Sequence, residues 1–399
     1  MNENEIIDIE QTCMANTYSK RPVVIVKGRG STLWDVNGRE YIDCMGAYGV
    51  CVVGHSHPRV VDAIQKQAAN LIACHSSLYN DARSTFLKKI VDVTPKELNK
   101  AFLANSGTET VEAAIKLARK HTGKTEIISF MGGYHGKTFG SLSATWNKRY
   151  RTPFEPLVPG FKHVPYGRPE RVKSAVTDET AAILVEPIQG EGGIKVPPSE
   201  FLKELREICD AKGALLICDE VQTGLGRTGK LFASEHFNVV PDVMCLAKAV
   251  GGGVPIGVMV AKEEIMASFK MGDHSSTFGG NPLTCAAASA AVDIVVEERL
   301  HERAARLGKY FMANLNELQD KYRLVREVRG MGLMIGMEFR FDVYNLILGA
   351  LKQGVLVLDA GRNVLRFLPP LVISKEELDR VIEVLDSVIG EEERARVRR

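Results

Sequence analysis

The sequence predicts an α/β protein in which a large domain with a mostly parallel sheet is joined to a smaller α+β domain. Between residues 100 and 261, short apolar runs alternate with helix-like segments, which is the pattern of a doubly wound sheet. The pattern differs outside that range, with hairpin signals near the N-terminus and mixed helices and strands after residue 291. We therefore place the large domain at 47–290 and expect 1–46 and 291–399 to form the smaller one.

Six apolar runs are the predicted strands of the large domain: KAFLANSG (100–107), EIISF (126–130), AAILVEP (181–187), ALLICDE (214–220), VMCLAK (243–248) and IGVMVA (256–261). The segment ETVEAAIKLARKHTG places its apolar residues on one helical face, so a helix should follow the first of these strands. Near the N-terminus, Asn37-Gly38 predicts a tight turn between two strands.

Composition excludes several classes of protein. The 399 residues are 45% hydrophobic and 25% charged with a net charge of +2, which gives no reason to expect nucleic acid or a membrane as a partner. The longest weakly charged run, GGNPLTCAAASAAV, is typical of a packed helix, and MNENEIIDIE lacks a signal-peptide pattern. The eight scattered cysteines include no C-x-x-C, so we predict a cytoplasmic protein with reduced thiols and no metal site.

The segment ANSGTET lies where a strand ends and a helix begins. Ser106 and Glu109 fit the S-x-x-E capping box, and a helix N-terminus with free N–H groups readily binds an anion. An ordinary helix start would have the same pattern, so this alternative stays open for the segment taken alone.

Two carboxylates and a lysine follow the ends of other predicted strands. Asp219 and Glu186 stand at the ends of apolar runs, and open α/β sheets bind ligands beyond the carboxyl ends of their strands. A carboxylate that only anchors a loop would have the same sequence pattern. Lys248 follows VMCLA and precedes three glycines. A surface lysine is the alternative, but a desolvated lysine is a nucleophile for carbonyl groups. An anion site, a carboxylate and an amine on one rim are what pyridoxal phosphate requires.

Ordered motifs over nearly the whole chain carry a family resemblance: LWDVNGREYID, GHSHP, NSGTE, YHGKT, EPIQGEGG, DEVQTGLGRTG, LAKAVGGGVPIG, STFGGNPL and RFLPPLV. The sequence resembles the class III pyridoxal-phosphate aminotransferases of fold type I. Within that class it is similar to the acetylornithine and ornithine aminotransferase branch, including relatives that act on carrier-bound lysine or ornithine precursors.

The resemblance implies roles around the cofactor ring. Lys248 would bind pyridoxal 5'-phosphate covalently and move the substrate proton, and Asp219 would pair with the pyridinium nitrogen. Gln222 would bind the ring hydroxyl, Tyr134 would stack on the ring, and His135 would sit beside Tyr134.

The resemblance also implies how the phosphate is bound. Ser106, Gly107 and Thr108 would hold it, while Thr277 would reach the phosphate of the neighbouring subunit's cofactor. A homodimer with shared active sites is therefore expected.

Substrate-binding residues follow from the same resemblance. Arg366 would bind the α-carboxylate of 2-oxoglutarate and glutamate, and Glu191 would pair with it when an ω-amine donor is bound. Tyr18 and Tyr48 match tyrosines that approach the donor, with packing as the alternative for Tyr48. Lys137 stands where relatives usually have the arginine that holds the donor's far carboxylate, and lysine lacks the planar two-pronged grip.

The predicted activity is transfer of the ω-amino group of N-acetylornithine, ornithine or a related acylated precursor to 2-oxoglutarate. The alternatives are a carrier-bound semialdehyde substrate, 4-aminobutyrate, and a racemase or aminomutase reaction. For a donor on an acidic carrier protein, the basic cluster Lys148, Arg149 and Arg151 is the expected contact, with a solvated surface as the alternative.

Overall fold

The structure is a computed structural model that describes residues 1–397. Its N-terminal part holds one helix, α1 (Glu3–Cys13), and three antiparallel strands, β1 (Ile25–Arg29), β2 (Thr32–Asp35) and β3 (Glu40–Asp43). The predicted turn at Asn37-Gly38 joins β2 to β3, and Gly38 has a φ of 82°. Such a positive φ favours glycine.

A seven-stranded sheet forms the centre of the molecule. Its strands are β4 (Lys100–Ala104), β5 (Glu126–Phe130), β6 (Phe161–Val164), β7 (Thr180–Val185), β8 (Leu215–Asp219), β9 (Val243–Leu246) and β10 (Gly257–Ala261). Their spatial order is β4-β10-β9-β8-β7-β5-β6. The sheet is mostly parallel, as predicted, although β10 runs antiparallel to both of its neighbours. The sequence prediction missed β6, a four-residue strand that is only partly buried.

Helices accompany this sheet: α2 (Gly46–Gly49), α3 (Pro58–Asn70), α4 (Asp81–Val93), α5 (Gly107–Thr122), α6 (Phe139–Ala144), α7 (Lys148–Arg151), α8 (Pro169–Ala175), α9 (Phe201–Lys212), α10 (Glu263–Met266) and α11 (Pro282–Glu297). The run of small residues predicted as a packed helix is confirmed as the largely buried α11. No helix within residues 1–397 is both long and apolar enough to cross a membrane.

Apolar side chains cover both faces of the central sheet. Successive residues of a strand point to opposite faces. Ile183 of β7 packs in one cluster with Leu205 of α9, whereas the next residue, Leu184, packs in another cluster with Leu117 of α5. Burial on both faces explains why these strands are continuous apolar runs in the sequence.

The C-terminal part contains α12 (Leu300–Lys321), β11 (Val325–Met331), β12 (Met334–Phe339), α13 (Tyr344–Lys352), β13 (Val355–Leu356), β14 (Leu358–Asp359), β15 (Val364–Phe367) and α14 (Lys375–Val397). Four of its strands form an antiparallel sheet in the order β11-β12-β15-β14. The remaining strand, β13, pairs in parallel with β3 and so joins the two ends of the chain. The domain boundaries at residues 47 and 290 stay a prediction.

Candidate active site

The carboxyl ends of the central strands and the start of α5 surround a cavity of about 460 Å³. Glu186 follows β7, Asp219 ends β8, and Lys248 lies two residues after β9. Parallel strands place their carboxyl ends on one edge of a sheet. The predicted rim therefore brings these three residues together with Ser106 around one cavity.

Lys248 opens a short turn after β9. Its side chain lines the cavity, and its surroundings desolvate the amine, which lowers the pKa of Lys248 below the ordinary lysine value. The backbone of Lys248 has a φ of 46°, a conformation that costs a non-glycine residue about 1–3 kcal/mol. This strained turn directs an amine of lowered pKa, which is a better nucleophile than an ordinary lysine, into the cavity.

Asp219 is bound from behind by His135. His135 donates from Nδ1 to Oδ2 of Asp219 over 2.8 Å, and both side chains are buried. Burial alone would lower the pKa of His135, but the hydrogen bond and charge of Asp219 raise it overall. His135 and Tyr134 both line the cavity. A charged acceptor on the cavity wall is the group that a pyridinium nitrogen requires.

Glu186 joins two loops of the site. Its Oε1 accepts from the N–H of Tyr134 over 2.9 Å, and its Oε2 accepts from the N–H of Gly190 over 3.0 Å. Burial raises the pKa of Glu186 to about 7. Burial, followed by the charge of Glu191, raises the pKa of Tyr134 to about 12, so this phenol stays neutral. Glu186 thereby fixes Tyr134 relative to the loop that carries Glu191.

The start of α5 forms the anion-binding end. Ser106 caps the helix, as predicted, but the Glu109 carboxylate accepts from the N–H of Asn105 and the hydroxyl of Ser106 instead of the Ser106 N–H that a capping box requires. A Cβ on Gly107 would lie 2.8 Å from a methyl group of Val221, so glycine is required for this close approach. The hydroxyl of Thr108 is hydrogen-bonded to neighbouring hydroxyl groups at distances of 2.6 and 2.8 Å. The first N–H groups of a helix have no partners within it, which suits a phosphate.

Arg366 forms an ion pair with Glu191, which lines the cavity. Nη1 of Arg366 lies 2.6 Å from Oε1 of Glu191 and 3.4 Å from Oε1 of Gln222. The side chain of Arg366 is fully buried, and its Nε and Nη2 have no hydrogen-bond acceptor in the described part of the chain. Its guanidinium carbon lies 5.4 Å from the ring centre of Tyr48, whose φ is 61°. Buried, unpaired guanidinium nitrogens fit an incoming carboxylate.

The other predicted substrate residues lie toward solvent. Lys137 lines the cavity and is exposed, with its Nζ 4.7 Å from the ring centre of Tyr150. Tyr18 is exposed and is one of the charged or ionisable groups facing Tyr134. Thr277 is exposed and is absent from the residues that line the cavity of its own chain.

Sequence reasoning missed Tyr150 and Val221 and assigned no role to Glu186. Val221 lies between Asp219 and Gln222 in sequence, and that position was the available signal. Tyr150 had no local signal, because only the fold places α7 beside Lys137.

The residues of the cavity fit pyridoxal phosphate. A desolvated amine, a carboxylate held by a histidine, and a helix N-terminus are arranged around a single space, and each meets one chemical need of that cofactor.

Comparison with known proteins agrees with this fit. The family described as Aminotransferase class-III matches residues 13–389. The acetylornithine aminotransferase of Methanopyrus kandleri is 51% identical over 96% of this chain and 98% of its own length. The [LysW]-aminoadipate semialdehyde transaminase of Deinococcus radiodurans is 45% identical over 98% of this chain and 91% of its own length.

A solved structure agrees as well. The ornithine aminotransferase of Toxoplasma gondii, with partial occupancy of PLP at its active site, superposes with a TM-score of 0.95. It is 34% identical and covers 98% of this chain and 96% of its own. The chain therefore belongs to the class III aminotransferase family.

Proposed function

We propose that this protein uses pyridoxal 5'-phosphate to transfer the terminal ω-amino group of N-acetylornithine, ornithine or a related acylated ornithine or lysine precursor to 2-oxoglutarate. The products are a semialdehyde and glutamate, and the biosynthetic direction runs in reverse. The names of the relatives support this class of donor.

The Arg366–Glu191 pair is the observation that carries the proposal. An ω-amine donor has no carboxylate on its reacting carbon, so Glu191 remains on Arg366 while that donor reacts. Glutamate does have such a carboxylate, which replaces Glu191 and also reaches the unpaired Nε and Nη2 of Arg366. One site can thus serve two different amines.

The other residues act on the proton and on the cofactor. Pyridoxal phosphate supplies an electron sink for the carbon that loses its proton. Lys248, whose pKa is lowered by desolvation, is able to take this proton on Nζ and return it. Asp219, which is hydrogen-bonded to His135, would hold the pyridinium proton, while Tyr134 would form a wall for the ring.

A homodimer with shared active sites completes the proposal. Thr277 is exposed, and its segment carries the exposed apolar side chains Met271 and Phe278. The segment with the exposed Ile72, Leu78 and Tyr79 is joined to it by a hydrogen bond from the Ser76 hydroxyl to the Gly279 carbonyl. Exposed large apolar side chains on neighbouring segments are typical of a protein interface. In a dimer, Thr277 would reach the phosphate at the start of the partner's α5.

Single-donor reactions of the purified holoenzyme test the proposal. Each donor is mixed without keto acid, and the visible absorbance of the bound cofactor is followed. The panel holds N-acetylornithine, ornithine, N-acetyllysine, lysine and 4-aminobutyrate. We expect rapid bleaching by an ornithine or lysine derivative and recovery on adding 2-oxoglutarate. Bleaching by 4-aminobutyrate alone would reassign the donor, and turnover without any keto acid would indicate a racemase or aminomutase.

A carrier-bound donor is the second candidate. Lys148 and Arg149 are exposed on α7, next to Tyr150 and therefore near Lys137 at the cavity. Arg151 lies apart from them, partly buried with its Nη1 3.5 Å from Nδ1 of His163. The Deinococcus radiodurans relative favours this candidate. Lys148 and Arg149 would therefore contact an acidic carrier.

Charge reversal separates the two candidates. The double variant Lys148→Glu and Arg149→Glu should raise the KM for a donor attached to an acidic carrier protein and leave the KM for free N-acetylornithine unchanged. Lys203→Glu on α9 is the matched control, since Lys203 is also an exposed lysine. Equal effects on both donors would exclude a docking role for this surface.

A further inference from the structure

We propose that Tyr150 is a positioning residue that holds the Lys137 ammonium at the cavity, where Lys137 binds the donor's distal α-carboxylate. The inference rests on the proposed function, and it adds a specificity residue that the sequence motifs do not contain.

An ordered series of contacts fixes the ring of Tyr150. Glu186 binds the backbone of Tyr134 over 2.9 Å, and the ring of Tyr134 meets the ring of Tyr150 edge to face, with centres 6.2 Å apart and planes at 82°. Lys137 Nζ then lies 4.7 Å from the centre of the Tyr150 ring. The position of the ammonium is therefore linked to the cavity wall by two aromatic side chains.

Lys137 has no other polar contact in residues 1–397. It forms neither a hydrogen bond nor an ion pair there, although it lines the cavity. A lysine side chain is flexible, and its ammonium can point in many directions from one backbone position. A ring face restricts these directions and leaves the other side of the ammonium free for a carboxylate. Tyr150 thus restricts the direction of the Lys137 ammonium, which partly replaces the fixed geometry of an arginine's planar guanidinium group.

The surroundings of Tyr150 indicate a role at the site more than in the core. Tyr150 is partly exposed, lies on a one-turn helix without buried residues, and belongs to none of the apolar clusters of the described chain. The charged groups facing its hydroxyl include Glu191, Arg149, Asp359 and Arg366. Burial, followed by the charge of Glu191, raises the pKa of this phenol, so its ring stays neutral.

A matched pair of variants tests the inference in the holoenzyme. Tyr150→Phe keeps the ring face, and Tyr150→Leu removes it. With N-acetylornithine, Tyr150→Leu should raise the donor KM about three- to tenfold at unchanged kcat, and Tyr150→Phe should stay within about twofold of wild type. Both variants should keep the visible absorbance of the bound cofactor, which shows that they fold and retain the cofactor site.

Two further measurements separate positioning from packing. N-acetyl-1,4-diaminobutane is N-acetylornithine without its α-carboxylate, so its KM should not respond to Tyr150→Leu. In a Lys137→Ala background, Tyr150→Leu should have no additional effect on the KM for N-acetylornithine. An equal rise for both amines, or an undiminished effect without Lys137, would overturn the inference.

The outcomes also distinguish this inference from the proposed function. If the wild-type enzyme turns over no α-carboxylate donor of the panel, the proposed function fails and the inference fails with it. If N-acetylornithine or another panel donor reacts normally and Tyr150→Leu leaves its KM unchanged, only the inference is overturned.

Discussion

Glu191→Gln should make the enzyme bind glutamate more tightly and use its ω-amine donor less well. The side chain of Arg366 is fully buried, whereas that of Glu191 is 29% exposed and can leave toward solvent. Glutamate must displace the Glu191 carboxylate from Nη1, where the two atoms are 2.6 Å apart. Glutamine keeps an oxygen of similar size at this position but removes the charge.

The size of the effect follows from this contact. A hydrogen bond to a charged group contributes about 1.5–3 kcal/mol. Because Glu191 is partly exposed and regains water when it leaves, we take the lower end, about 1.5 kcal/mol. About 1.4 kcal/mol corresponds to a tenfold change in an equilibrium constant. We therefore expect the KM for glutamate to fall about tenfold. The donor half-reaction should slow by a similar factor, because the charge of Arg366 is no longer balanced while the donor is bound.

The assay measures each half-reaction alone, by the absorbance of the bound cofactor under single-turnover conditions. Glu327→Gln is the matched control, since Glu327 pairs with Arg329 at 2.6 Å in an exposed position, and both half-reactions should be unchanged. An unchanged or increased KM for glutamate in Glu191→Gln would refute displacement of Glu191. Equal loss of both half-reactions would show that Glu191 only supports the structure.

Three other predictions concern the cofactor end of the cavity. Lys248→Ala should lose a factor of about 10²–10⁴ in turnover through loss of proton transfer alone, together with a changed visible absorbance, and retained turnover would exclude Lys248 as the proton carrier. His135→Leu should lower kcat about 10- to 100-fold, because Asp219 loses its hydrogen bond from His135. His135→Asn keeps a hydrogen-bond donor and should recover much of the rate. Equal losses of kcat in the two variants would indicate that His135 only packs against Asp219. Folded Glu186 has a pKa of about 7 instead of 4.5, so the folded protein holds a proton that the unfolded chain releases between these two pH values. The Tm of wild type should therefore fall relative to that of Glu186→Gln as the pH rises from about 4.5 to about 7. A difference in Tm that is constant over this range would contradict the raised pKa.

The sequence predicts the rim of the site because its signals are local. Asp219 ends an apolar strand, Ser106 opens a helix, and Lys248 precedes glycines, so each position can be recognised from its own neighbours. Strand topology then places them on one edge of the sheet. β6 was missed because its partly buried, mixed sequence lacks a clear apolar run.

The direction in which a side chain points cannot be predicted from its neighbours in sequence in the same way. His135 and Tyr134 are adjacent in sequence and both line the cavity, yet His135 is hydrogen-bonded to Asp219 whereas the ring of Tyr134 packs edge to face on Tyr150. The two contacts depend on Asp219 at the end of β8 and on Tyr150 of α7, which other segments of the chain supply. No pattern within YHGKT contains either constraint.

Tyr150 is a second residue whose side-chain contact could not be predicted from the neighbouring sequence, and it concerns substrate binding. Lys137 differs from the arginine usual in relatives, and the motif alone indicates a weaker grip on the donor's carboxylate. The fold changes that interpretation, because it places an aromatic ring from α7 against the ammonium and fixes that ring through Tyr134. The grip of Lys137 on a carboxylate therefore depends on a residue thirteen positions away in sequence. A substitution of Lys137 by arginine should for this reason benefit donor binding less in wild type than in Tyr150→Leu, and a comparison of the two KM changes for N-acetylornithine measures how much order the ring provides.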